Sequence, residues 1–81
     1  MAIEQKELGQ RLKGAREACG MTQDDVARQL SVSRSTVAQM ELGNRAVTGI
    51  ELSRLAYLFG KDLQSFVAVE APDQEDALVA L

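Results

Sequence analysis

Eighty-one residues with nine Lys/Arg, twelve Asp/Glu and no His give a net charge of −3 and room for one small domain. A chain this short buries only about 60–65% of its unfolded surface, so its core must be economical. One Cys excludes an intrachain disulfide, and with no His and no carboxylates clustered at a Gly-rich loop there is no catalytic or metal constellation, so neither enzyme activity nor a cofactor is expected. The N-terminus (MAIEQKELGQ) lacks a basic segment followed by an apolar run, and no stretch approaches the ~18 apolar residues of a membrane span, so the expectation is a cytoplasmic protein. The apolar content is mostly Leu, Val and Ala, and the single Pro lies at position 72, which favours an all-α fold.

The first helix is predicted from about Glu4 to Cys19. Leu8, Leu12, Ala15 and Cys19 are spaced by four, three and four, which makes one apolar face and predicts Cys19 buried or half-buried at its end. Lys6, Arg11, Lys13 and Arg16 fall on other faces, and Gly20 stops the helix. Gly9 and Gly14 weaken it by about 1 kcal/mol each relative to Ala. Gly14 is expected to permit close helix packing.

The second helix opens on Thr22-Gln-Asp-Asp25, a capping box in which Thr22 and Asp25 satisfy each other's backbone N–H groups. It runs to about Leu30 and buries Val26, Ala27 and Leu30, with Ala27 at the close crossing with the next helix. Ser31 and Val32 form the turn, and Val32 is expected to enter the core. Ser33 caps a third helix, Arg34 to Leu42, that buries Val37 and Met40 and leaves Arg34, Ser35, Ala38 and Gln39 on an outward face. Two caps eleven residues apart, with almost nothing between the helices, describe a helix-turn-helix. Thr48-Gly-Ile-Glu51 is a second capping box and starts a fourth helix, to about Phe59, with Leu52, Leu55, Ala56 and Phe59 as its stripe. Gly60 ends it, and Asp62 is expected to cap a short fifth helix with Leu63, Phe66 and Val67 apolar.

After Val69 the character changes. Glu70, Asp73, Glu75 and Asp76 follow with no base, and ALVAL then begins a new apolar segment. The expected organisation is a domain over residues 1–69 and an acidic linker or tail over 70–81. Residues 1–69 hold nine bases against eight acids, a net +1, so the acidic balance belongs to the tail and does not oppose a nucleic-acid partner. The expected mode places Arg34 to Gln39 in the major groove of double-stranded DNA.

LGQRLKGAREACGMTQDDVARQLSVSRSTVAQMELGNR resembles the phage Cro/repressor-type helix-turn-helix family, also called the XRE family. Thr-Gln at the second helix start, Ala27, Ser-Arg-Ser-Thr-Val and Glu-x-Gly at 41–43 are in register, and the resemblance covers about residues 5–67. It implies a compact five-helix, lambda-repressor-like DNA-binding domain. Arg34, Ser35 and Gln39 are then expected at base edges, since Arg pairs with guanine O6 and N7 and Gln with adenine N6 and N7. Gln23, Thr36, Asn44 and Arg45 are expected on the DNA backbone, Gln23 beside the free N–H groups of its helix start. Arg16 and Glu41 match positions that form an ion pair in similar proteins. Ser31 departs from the pattern, where relatives usually carry Gly in a positive-φ turn.

The resemblance implies a sequence-specific transcriptional regulator, a repressor more often than an activator, acting as a homodimer on two half-sites. Two readings stand beside it. The chain resembles the DNA-binding part of regulators that continue into an ImmA/IrrE-type metallopeptidase-like domain, and small relatives include restriction-modification controllers and antitoxins. A protein-interaction module without DNA binding is supported only by the acidic sum and the acidic tail. Helix five and the tail (Leu63, Phe66, Val69, Leu78, Leu81) are the expected dimer contact.

Overall fold

A computed structural model of the chain describes residues 3–68, which form five helices: α1 (Gln5–Ala18), α2 (Gln23–Leu30), α3 (Arg34–Leu42), α4 (Gly49–Phe59) and α5 (Gln64–Val67). Among the described residues there is no strand, and no helix is long and apolar enough to cross a membrane. Expectations for the tail, including Val69, Leu78 and Leu81, lie outside the described residues.

Local chemistry sets the boundaries. Thr22 Oγ1 accepts from the Asp25 N–H at 3.0 Å, and Asp25 Oδ2 accepts from the Thr22 N–H at 2.8 Å. Thr48 and Glu51 repeat the arrangement at the start of α4, and Ser33 Oγ accepts from the Thr36 N–H at the start of α3. Each box satisfies two donors that a helix start otherwise leaves unpaired. At the other ends the chain turns through a positive φ at Gly20, Ser31, Gly43 and Gly60. The next N–H then returns to the carbonyl five residues back, as Val32 does to Ala27 and Asn44 to Gln39. Three of these positions have no Cβ to strain. Ser31, at φ 59°, carries one at a cost of order 1 kcal/mol.

The core joins Leu8, Leu12 and Ala15 of α1, Val26, Ala27 and Leu30 of α2, Val37 and Met40 of α3, and Leu52, Leu55, Ala56 and Phe59 of α4. Val32 packs against it from the turn. Phe66 closes the lower end, 2% exposed, its ring tilted against Phe59 at a centroid distance of 6.4 Å. Arg11 secures α5 from the α1 side: its Nη1 donates to the carbonyls of Phe66 (3.1 Å) and Ala68 (2.7 Å). A cation among the free carbonyls of a helix end is a favourable placement.

Four expectations are corrected. Cys19 is exposed: it follows the last residue of α1, Ala18, at the rim of the core, with its Sγ 3.7 Å from the Phe59 carbonyl oxygen. Gly14 packs against nothing: a Cβ built there meets no atom within 4 Å. Gly9 makes the close approach instead, and a Cβ there would stand 2.5 Å from the carbonyl oxygens of Met40 and Glu41. Asp62 does not cap α5 in the expected way. Its Oδ1 is 3.5 Å from the Gln64 N–H, and its backbone carbonyl takes the Ser65 hydroxyl at 2.6 Å. Phe66 is in the core and is not available as a dimer contact, whereas Leu63 is 39% exposed.

Candidate nucleic-acid interface

Helices α2 and α3 pack against each other on either side of the turn at Ser31 to Ser33, with Ala27 buried in the core. Burial of Val37, Met40 and Glu41 fixes which way α3 faces. Arg34, Ser35 and Gln39 are therefore left exposed, with Ala38 half-buried between them. Arg34 and Ser35 have no side-chain hydrogen bond or ion pair within the described residues. Gln39 Oε1 accepts from Asn44 Nδ2 at 3.0 Å, so the Gln39 amide is oriented from the loop that follows α3. The Thr36 hydroxyl is shared with Ser33 Oγ at 2.9 Å.

Behind this face lies a buried ion pair. Arg16 Nε donates to Glu41 Oε2 at 2.6 Å and Arg16 Nη2 to Glu41 Oε1 at 3.2 Å. Arg16 Nη1 donates to the Met21 carbonyl at 2.8 Å, and Gln23 Nε2 donates to Glu41 Oε1 at 3.0 Å. The network ties α1, the turn before α2, the first residue of α2 and the end of α3. Its hydrogen bond to Glu41 raises the Arg16 pKa above the ordinary arginine value, although burial opposes this. Gln23 thus stands at the α2 start with its side chain tethered to the base of α3.

Beyond α3, Arg45 donates through Nη1 and Nη2 to both oxygens of Glu51, each at 2.9 Å. Arg45 is therefore partnered within the protein, while its loop neighbour Asn44 leans on Gln39.

Residues 7–64 match the family described as Helix-turn-helix domain. The chain belongs to it. The helix-turn-helix domain is similar to the restriction-modification controller protein C.AhdI from Aeromonas hydrophila, at 30% identity and a TM-score of 0.70, over 75% of this chain and 92% of that one. It is also similar to the DNA-binding domain of BldD, at 29% identity and a TM-score of 0.69, over 79% of this chain and 93% of that one. A third solved relative is FeII HppE, at 26% identity and a TM-score of 0.73, where the match spans 80% of this chain but 35% of the longer one. No curated protein sequence matches the chain. The five-helix, Cro/repressor-type fold of a DNA-binding domain is thus established.

Within the helix-turn-helix domain the Arg45–Glu51 pair has a measurable consequence. The Arg45 hydrogen bonds hold the Glu51 carboxyl at about 2 against an ordinary 4.5, with burial opposing and the Thr48 N–H assisting. Because the folded value is depressed, the stabilisation is present above pH 4.5 and is lost as pH falls from there toward 2. Asp25 is lowered in the same direction, by the Thr22 N–H and by Arg28. The urea midpoint is expected to fall over this interval. Glu51→Gln should start lower at pH 7, by about 1–2 kcal/mol for the lost cap and charged pair, and lose less on acidification. An equal acid loss in both proteins would show that Glu51 does not govern it.

Three further residues share this side of the domain. Lys6, Gln10 and Lys13 of α1 line a groove of about 320 Å³ with Gln23, Ala38, Glu41 and Leu42. From the sequence alone the two lysines are placed only off the apolar face. Their spacing of four and three, the same helical row logic that picked out the core, was the available signal. Leu42, 61% exposed, extends the Arg34–Ala38 row along α3 to the groove edge.

Proposed function

We propose that this domain is a sequence-specific double-stranded DNA-binding transcription regulator, a binding module without catalysis, in which α3 enters the major groove. The observation that carries the reading is the outward face of α3, where an unpartnered Arg34 and an Asn44-oriented Gln39 stand exposed on a helix locked from behind. Arg34, Ser35 and Gln39 make the base contacts in this reading. Gln23, Thr36, Asn44 and Arg45 adjoin the DNA backbone. Arg45 reaches a phosphate by exchanging or sharing Glu51, and Asn44 acts through Gln39 as well as directly. In this reading the protein is a cytoplasmic repressor, and it acts as a homodimer because one such unit reads few base pairs and two-fold symmetry supplies a second half-site about one helical turn away. Residues 1–69 are the DNA-binding unit and 70–81 a connecting or tail segment.

A second, narrower reading is favoured by the likeness to C.AhdI: a controller of a restriction-modification system. It uses the same interface and differs in the operator it serves.

Site selection from random duplexes tests the main reading, because it yields half-site sequence, spacing and symmetry together. Against the selected site, Arg34→Ala with Gln39→Ala is expected to lower the ratio of specific to non-specific affinity roughly a hundredfold or more, at about 1–3 kcal/mol per bidentate contact. Helical content should not change. Specific binding that survived this pair of substitutions would remove α3 as the reading head.

A further inference from the structure

We propose that the outer face of α1 is a second DNA-backbone site, in which Lys6 and Lys13, with Gln10 between them, bind phosphates beside the segment that α3 enters. The inference rests on the DNA-binding reading above and extends the contact surface to a helix outside the helix-turn-helix unit.

Charge pairing selects these residues. Of the bases in the described residues, Arg11 is paired with Glu7, Arg16 with Glu41, Arg28 with Asp25 and Arg45 with Glu51. Lys6, Lys13, Arg34, Arg54 and Lys61 have no carboxylate partner there. Arg54 lines a depression with Gln29 and Tyr57 between α2 and α4, and Lys61 lines one with Gly14 and Phe66. Only Lys6 and Lys13 line the groove that also holds Gln23 and the Ala38–Leu42 row of α3. Arg34 lies on that same row, one turn before Ala38, so three of the five unpaired cations, Lys6, Lys13 and Arg34, share one side of the domain.

The position of α1 relative to α3 is set by backbone, not by flexible side chains. The two helices cross at Gly9, and the first turn of α1 abuts the end of α3, where a Cβ on Gly43 would stand 2.6 Å from Lys6 Cα. Gln5 Nε2 adds a hydrogen bond to the Gly43 carbonyl at 3.1 Å. Lys6 and Lys13 are seven residues apart, about 10 Å along the helix, so they suit separate phosphates and not one. Both are exposed, and their length lets the ammonium groups follow a backbone running along the groove.

The test compares salt dependence. Affinity for a mixed-sequence duplex of about two helical turns, and for the selected site, is measured across a salt series. The proteins are wild type, Lys6→Gln/Lys13→Gln, Lys6→Arg/Lys13→Arg and Lys61→Gln. Loss of two phosphate contacts is expected to make the log–log salt slope shallower by about 1.8 on both duplexes, with the ratio of the two affinities unchanged. The arginine pair and Lys61→Gln should keep the wild-type slope. Thermal melts confirm that each variant is folded. A wild-type slope in the glutamine pair overturns the proposal, as does an equal change in Lys61→Gln, which would reveal a general charge effect. If wild type itself binds no duplex, the DNA-binding reading fails first.

Discussion

Arg16→Met is expected to destabilise the domain by about 3–5 kcal/mol, because it leaves the Glu41 carboxylate buried with only the Gln23 amide for a partner. For a domain of this size, total stability is on the order of 3–10 kcal/mol, so the substitution removes a third of it or more. Desolvating two charges is costly, and the pair contributes little compared with a well-packed apolar replacement; the damage comes from separating its members. Arg16→Met with Glu41→Leu should therefore be more stable than Arg16→Met alone, a sign that ordinary loss of contacts does not produce. Urea titration by circular dichroism measures both. A cost below about 1 kcal/mol for Arg16→Met would mean that water, and not the protein, already satisfies Glu41.

Gly9→Ala and Gly14→Ala are expected to change stability in opposite directions, although both replace a glycine inside α1. At Gly14 the methyl group meets open space, and the better helix propensity of Ala stabilises by about 1 kcal/mol. In a domain of this size that raises the melting midpoint by roughly 4–8 °C. At Gly9 the methyl would stand 2.5 Å from two backbone carbonyl oxygens of α3, neither of which can swing aside. The helices must separate, at about 1–3 kcal/mol or more, which exceeds the propensity gain. The strain falls on the α1–α3 crossing, so Gly9→Ala should also weaken DNA binding. Equal shifts at both positions would show that the crossing is looser than the distances imply.

Much of the fold was legible because it is set by residues near one another in the chain. The Thr22/Asp25 and Thr48/Glu51 boxes, the Ser33 cap and the terminal glycines each act within five residues, and the helices begin and end where those residues stand. The apolar stripes follow from helical period in the same way. What was not legible depends on contacts distant in sequence. Gly9 and Gly14 are identical as letters and differ only in which one α3 crosses. Phe66 has the same local pattern whether it points at a partner or at Phe59, and the packing of α4 decides. Cys19 continued the stripe on paper, but the helix ended one residue before it.

The candidate site divides along the same line. The exposed row Arg34, Ser35 and Gln39 follows from burying Val37 and Met40 on a short helix. The side-chain pairings around that row do not: Asn44 on Gln39, Arg45 on Glu51 and Gln23 on Glu41 all require the loop paths and helix crossings. Arg45 in particular reads as a free base in sequence, since its carboxylate partner was already accounted for as the capping residue of α4.

The clamping of α3 has a consequence for recognition. The helix is held along its inner side by Glu41 and the Gly9 crossing, and at its end by Gly43 against Lys6. It cannot tilt or slide to suit a particular site without breaking one of these. In the proposed complex, compliance must then come from the duplex, whose resistance to bending and twisting depends on its sequence. In the proposed DNA-binding mode, a stiff reader of this kind is expected to discriminate between duplexes that present identical base edges but differ in deformability. Its preferences are therefore expected to extend to base pairs that no side chain touches.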